Sequence, residues 1–247
     1  MTKSTVLRQQ FLDTLGHGLT RYGFPAKVAP RTYNFRLATP CGHVGIFVNP
    51  IRHGEEIQFS LSCGISITYV QDRLTKTELY AQDYTGLTWT CGLMLDNLVR
   101  YKEWIAPPGP ARKALMAIGI QPKEGAFPGY ADSYMPVTCD KATLQRHVDR
   151  LIVQVDSCCW PFLLQYGFSE ANFLGLCERN DAFVDVCFSG LEKQIVAGLI
   201  LARKLGRADT ERAIRRIGER KGAYYATHGN PMPCERIQRI VKQLNLN

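Results

Sequence analysis

The sequence predicts an α+β protein: an N-terminal helix packed on a four-stranded antiparallel meander, followed by a C-terminal helical region. Three observations carry this. Apolar residues fall at three- and four-residue spacing over positions 4–22, at spacing two from 33 to 93, and at helical spacing again from 138 to the end.

In the first segment Leu7, Phe11, Leu12, Leu15 and Leu19 share one helix face, Gly23 is placed as the residue after the C-cap, and Pro25 lies beyond it. Gly16 and Gly18 weaken the last turns by about 1 kcal/mol each relative to alanine. The period then becomes two. Tyr33, Phe35 and Leu37 predict a first strand, and Val44, Ile46 and Val48 a second, joined by a Thr39-Pro40-Cys41-Gly42 turn. A turn from Pro50 to Gly54 leads into a third strand through Ile57, Phe59, Leu61, Cys63 and Ile65, and Leu87, Trp89, Cys91 and Leu93 supply the fourth. One face of this meander is buried, and the N-terminal helix covers it.

From Ala106 to Pro136 prolines and glycines cluster, which predicts an irregular connection with one short helix near Arg112 to Ile118. Beyond it Leu144, Val148, Leu151, Ile152 and Val155 define a helix started by Thr138 or Asp140 and ended before Pro161, and Ser169 starts a short one. Ser189 and Glu192 have capping-box spacing ahead of a helix carrying Leu191, Ile195, Leu199 and Ala202, which Gly206 ends. Asp209 to Arg220 and Pro233 to Leu244 complete the set. The organisation expected is a helix-plus-sheet domain over 1–105, a connection over 106–137 and a helical region with a basic C-terminus over 138–247.

A chain of 247 residues with 45% apolar and 21% charged residues buries a substantial core without staples. Its longest apolar run, Ile195 to Ala202, is far below the roughly 20 residues that cross a bilayer, and the N-terminus lacks an apolar signal-peptide core. A soluble cytoplasmic protein with no membrane contact is expected. The nine cysteines, odd in number and set in apolar or alternating segments, read as reduced thiols, and none forms a Cys-x-x-Cys pair. Of the net charge of +8, nearly all lies after residue 200, where eleven lysines and arginines face four carboxylates. Attraction for an anionic partner therefore comes from the C-terminal end.

Cys41 and His43 in a turn, His53 ten residues later and Cys63 on the next strand form the one metal or thiol candidate, and the spacing matches no standard zinc pattern. No Gly-x-Ser-x-Gly, phosphate-loop or His-Glu-x-x-His motif is present. Glu55-Glu56, Asp181, Asp185, His17 and His228 read as solvated, capping or loop residues. No catalytic residue and no cofactor is expected. The candidate partner-binding residues are Arg203, Arg207, Arg212, Arg215, Arg216 and Arg220, the last four recurring at three- and four-residue spacing that concentrates guanidinium groups, with Tyr224 and Tyr225 available for stacking.

The first helix ending in Gly23-Phe24, the strand Phe59-Ser60-Leu61-Ser62-Cys63-Gly64-Ile65 and the tail Ala202-Arg203-Lys204-Leu205-Gly206 are similar to an uncharacterised bacterial domain-of-unknown-function family. That resemblance covers about the first hundred residues. It implies a helix-plus-sheet fold and a non-enzymatic immunity-type protein that neutralises a toxin partner, whose acidic surface the basic C-terminus complements. Two alternatives stand beside it: nucleic-acid binding through the basic C-terminal helices, and a thiol- or metal-dependent enzyme built around Cys41, His43 and His53.

Overall fold

The computed structural model describes residues 2–28, 33–75, 77, 79, 89–94, 134–188 and 190–246. Helix α1 (Lys3–Leu19) starts at Thr2, whose hydroxyl accepts from the Thr5 amide. Leu7, Phe11, Leu12, Leu15 and Leu19 are all buried, as their spacing predicts. The chain leaves the helix through Gly23, whose left-handed φ of 89° lets its amide donate to the Thr20 carbonyl. The glycines inside α1 have a packing reason. A Cβ on Gly16 would stand 2.1 Å from the Ala26 carbonyl oxygen, and one on Gly18 would stand 2.8 Å from Ile152 Cδ1. Their helix-propensity cost is offset by close approach of neighbouring chain.

Strands β1 (Asn34–Thr39), β2 (Gly42–His53), β3 (Glu56–Ile67) and β4 (Cys91–Met94) follow in sheet order, so the α+β class and the helix, meander, helices sequence of elements hold. Hydrogen bonds from Val48 N to Tyr33 O and from Thr68 N to Cys41 O fix both hairpin registers. They set Asn34 opposite Phe47, Phe47 opposite Ser62 and Asn49 opposite Ser60. Gly42 is required by the approach of β3: a Cβ there would stand 2.0 Å from the Ser66 carbonyl oxygen. Strand β5 (Tyr134–Pro136) pairs antiparallel with the start of β3, Ile57 opposite Met135, while the Thr90 amide bonds Ile65 O near its far end. The sequence did not signal β5, because three residues in a proline-rich stretch show no period.

Helix α2 (Thr68–Leu74) follows β3 directly, with no side-chain cap to announce it. Helix α3 (Lys141–Gln154) is capped by Asp140, whose carboxylate accepts from Thr143 N at 2.7 Å. The helical path does not stop before Pro161. It widens through a π turn, Val155–Cys159, and continues as α4 (Trp160–Tyr166). The ladder is already reset there, so the amide that proline lacks falls where the regular i to i−4 pattern is broken. Ser169 caps α5 (Glu170–Cys177) and Asp181 caps α6 (Ala182–Cys187). Helices α7 (Leu191–Lys204), α8 (Ala208–Thr227) and α9 (Met232–Gln243) complete the chain. At the start of α7 the cap is Gly190 and no side chain bonds it; Ser189, the expected cap, lies outside the described residues, as do the helix expected near Arg112 to Ile118 and Leu87.

The chain divides into two compact units. One comprises Met1–Leu37, Gly45–Cys63 and Met94–Pro161; the other comprises Ala38–Val44, Gly64–Leu93 and Phe162–Asn247. In the first, Phe11 of α1 stacks on Phe59 of β3 with ring centroids 3.8 Å apart, and α3 packs on α1, with His147 and Phe11 rings in contact. In the second, α7 is the central helix, packed by α5, α8 and α9. No helix among the described residues is long and apolar enough to cross a membrane.

Candidate functional site

The trio Cys41, His43 and His53 is not brought together. Cys41 and His43 sit at the start of β2 and His53 at its end, and ten residues of extended strand span roughly 33 Å. The Cys41 thiol donates to the Gly167 carbonyl, and burial, more than any other influence, pushes it up, so it is held protonated. The His43 ring packs edge-on against Trp89. Burial likewise raises the Cys177 thiol. A hydrogen bond with Cys63, reinforced by burial, raises Cys159 well above the ordinary thiol range. None of these is the electropositive, thiolate-bearing setting that nucleophilic cysteine needs. Among the described residues no group of three or more histidine, cysteine and acidic side chains is placed to hold a metal ion.

The C-terminal arginines separate into two kinds. Arg203 and Arg215 turn inward onto Glu211, at 3.1 and 2.8 Å, and also donate to the carbonyls of Asn245 and Leu246. They tie α7, α8 and the chain beyond α9 together. Arg212 pairs with Asp209 one turn away, and Arg207, Arg212, Arg216 and Arg220 are exposed. Arg212, Arg216, Arg220 and Tyr224 are successive i, i+4 neighbours on α8. The Tyr224 ring lies 4.1 Å from His228, which occupies the stacking position expected for a base. Between α7, α8 and α9 lies a cleft of about 170 Å³, lined by Ile195, Leu199, Arg215, Glu219, Ile237 and Val241 among others. It is smaller than the few hundred Å³ that enclose a nucleotide-sized ligand.

Glu211 makes this cluster acid-sensitive. Burial opposes ionisation of its carboxyl, and the hydrogen bonds and charges of Arg215 and Arg203 outweigh burial, holding it below the usual carboxylate range. A depressed folded-state value contributes stability above the unfolded pKa of about 4.3 that is lost as pH falls through the lower folded value. Glu211→Gln is therefore expected to be less stable than the wild type at pH 7, by about 1–2 kcal/mol. It should also lose stability less steeply between pH 5 and 3. Thermal melts across that range test this, and parallel pH profiles for the two proteins would refute it.

The second face of the sheet in the first unit was missed. Alternate positions Asn34, Arg36, Asn49, Gln58, Ser60 and Ser62 read in the sequence as the solvent side of an amphipathic meander. Yet Asn34, Gln58 and Ser62 are only 6, 3 and 6% exposed. Both polar atoms of the Asn34 side chain are buried without a hydrogen-bond partner. Such an amide costs about 1–3 kcal/mol per unsatisfied group. The residue before it, Tyr33, has φ 48°, an uncommon conformation for a non-glycine residue. Arg36 is exposed, and Phe47, Asn49 and Ser60 are half-buried.

A dTTP/UTP pyrophosphatase of Phocaeicola vulgatus is 26% identical to this chain over 159 residues, covering 56% of this chain and 78% of that protein. No family model matches the chain, and no solved structure matches it significantly. The likeness to an enzyme overturns the resemblance to an uncharacterised immunity-type family, and with it the expectation of a non-enzymatic protein that binds a toxin partner or nucleic acid. The Gly23-Phe24 and Cys63-Gly64-Ile65 steps that carried the resemblance are short and arise wherever a helix cap or a close-packed strand needs glycine. The missing hydrolase motifs were no argument against activity either. Cleavage of a phosphoanhydride by water relies on positioning and charge, with no protein nucleophile required.

Proposed function

We propose that this protein is a nucleoside triphosphate pyrophosphatase acting on pyrimidine nucleotides in the cytoplasm. The observation that carries the reading is the 159-residue likeness to the dTTP/UTP pyrophosphatase. In the reaction a water oxygen attacks the α-phosphorus, the bond from that phosphorus to the bridging oxygen breaks, and pyrophosphate leaves with the bond's electron pair. The attacking water gives up a proton, and a nucleoside monophosphate remains.

Charge supports the same reading. The substrate is a compact polyanion, and the exposed Arg212, Arg216 and Arg220 of α8 belong to the basic C-terminal end. Their role here is capture: they raise the local concentration of anionic substrate without touching the bond that breaks. Arg203 and Arg215, committed to Glu211, hold the helices.

The decisive experiment is pyrophosphate release from UTP, dTTP and the other common triphosphates, each with Mg²⁺ or Mn²⁺, followed by phosphorus NMR. UTP and dTTP should yield pyrophosphate and monophosphate in equal amounts. A folded protein that releases pyrophosphate from none of them ends the proposal. In the triple variant R212E/R216E/R220E, kcat/KM for UTP should fall about tenfold at low salt, and its salt dependence should flatten, with kcat nearly unchanged.

A further inference from the structure

We infer that the turn joining α8 to α9 is a docking tip for an anionic lipid surface, on which the protein rests without spanning it. Residues 223–232 are exposed without interruption, and from Gly222 to Cys234 there is no lysine, arginine, aspartate or glutamate. Within that stretch Tyr224, Tyr225 and Met232 are 60, 38 and 58% exposed. Large apolar side chains exposed singly are ordinary on a protein surface. Here three share one turn and its flanks, whereas Val6, Ile51, Met94, Val153 and Leu164 lie on separate elements. The stem closes below them: a Cβ on Gly222 would stand 1.8 Å from Cys234 Sγ, so α8 and α9 meet there and the residues between lie beyond the contact. The turn is held by its own backbone. The Asn230 amide donates to the Tyr225 carbonyl at 2.9 Å, and His228 Nδ1 donates to the Tyr224 carbonyl at 2.8 Å.

Charge says what the tip meets. Behind it α8 and α9 carry Arg216, Arg220, Lys221, Arg236 and Arg239 against Glu219 and Glu235, a net positive stem below an uncharged end. A helix rises about 1.5 Å per residue, which puts Arg220 and Arg236 about 6 Å behind Tyr224 and Met232, and Arg216 and Arg239 about 10–12 Å behind. A membrane interface is layered in the same order. Apolar side chains enter about 5–10 Å to the boundary of headgroup and acyl chain, tyrosine settles at headgroup level, and cations stay among the lipid phosphates. The sequence gives no membrane contact only in the sense of a spanning segment, and lying on a surface requires none. A second copy is a poorer occupant, because it would set two positive stems against each other. A nucleic-acid strand also fits less well than lipid: His228 already lies 4.1 Å from the Tyr224 ring, and Met232 offers a base no ring to stack on.

Co-sedimentation of the full chain with lipid vesicles tests this. Vesicles of phosphatidylcholine containing about one third phosphatidylglycerol should retain the protein at least about tenfold better than phosphatidylcholine alone, and less so as salt rises. The double variant Y224S/M232S should lose about tenfold in vesicle affinity. Its thermal midpoint should stay level, because both side chains are exposed. Met232→Leu, which keeps the apolar end, should bind like the wild type. Absence of binding to the anionic vesicles overturns the inference. So does undiminished binding of Y224S/M232S, which would reduce the effect to adsorption of positive charge. A single-stranded oligonucleotide that binds through Tyr224 and Met232 where vesicles do not would assign the tip to nucleic acid and overturn it as well. None of these readouts uses hydrolysis, so the docking tip and the pyrophosphatase reading stand or fall separately.

Discussion

Phe11→Ala is expected to destabilise the first unit by about 3–5 kcal/mol, moving the urea midpoint down by about 1–2 M. Phe11 is fully buried, and its ring lies parallel to that of Phe59 at 3.8 Å between centroids, with the tilted His147 ring of α3 at 6.1 Å. It is thus one point at which α1 meets both the sheet and α3. Truncation removes the transfer free energy of the ring and leaves a cavity on every side. Its neighbours are poor at filling that cavity. Gly16 and Gly18 bring α1 against the Ala26 carbonyl and Ile152 with no room to slide. Phe11→Leu, which keeps most of the volume, should cost roughly half as much. Equal losses for the two variants would show that the stacked ring geometry matters and the volume does not. A loss below about 1 kcal/mol for Phe11→Ala would mean that α1 can collapse onto the sheet, against the packing seen.

What could be read from the sequence follows from how each element is stabilised. Helix α1 and strands β1 to β3 were legible because burial on one side writes a period into the residues, 3.6 in Leu7-Phe11-Leu15 and two in Ile57-Phe59-Leu61. Local caps were legible for the same kind of reason: Asp140, Ser169 and Gly23 act on atoms within a few residues of themselves. Helix α2 and strand β5 were not, since both are too short to show a period and neither carries a capping signal. The continuation past Pro161 was hidden because the π turn that accommodates it has no residue signature.

The site was less legible still. Polar residues at alternate strand positions, Asn34 and Ser62 among them, ordinarily mean solvent, and only coordinates show that they are buried. In the C-terminal helices the sequence marks where arginines lie but not where their side chains go. Arg203 and Arg215 are drawn inward by a carboxylate and two carbonyls that come from α8 and from beyond α9, a convergence that depends on tertiary structure. Enzymatic character was unreadable for a chemical reason as well, because phosphoanhydride hydrolysis leaves no compact nucleophile motif to find.

The second unit should respond strongly at Gly198. Introducing valine there is expected to cost about 2–3 kcal/mol, the usual penalty of an overpacked core. A Cβ at this position would stand 2.7 Å from Ile214 Cδ1 on α8 and 3.0 Å from Cys177 Cβ on α5, where both neighbours are completely buried. The two contacts differ in kind. Ile214 presents the end of a side chain that can be shortened, whereas the Cβ of Cys177 is fixed by its own helix. Trimming Ile214 to alanine should therefore recover part of the loss, even though Ile214→Ala alone opens a cavity and costs about 2–4 kcal/mol. The double variant G198V/I214A should be more stable than the sum of the two single losses by about 1 kcal/mol or more, with Cys177 limiting the recovery. Adding Cys177→Ala cannot relieve that contact, since alanine keeps the Cβ, while Cys177→Gly should. Strict additivity of Gly198→Val and Ile214→Ala would place the strain elsewhere and would mean that α7 moves away from α8 as a body.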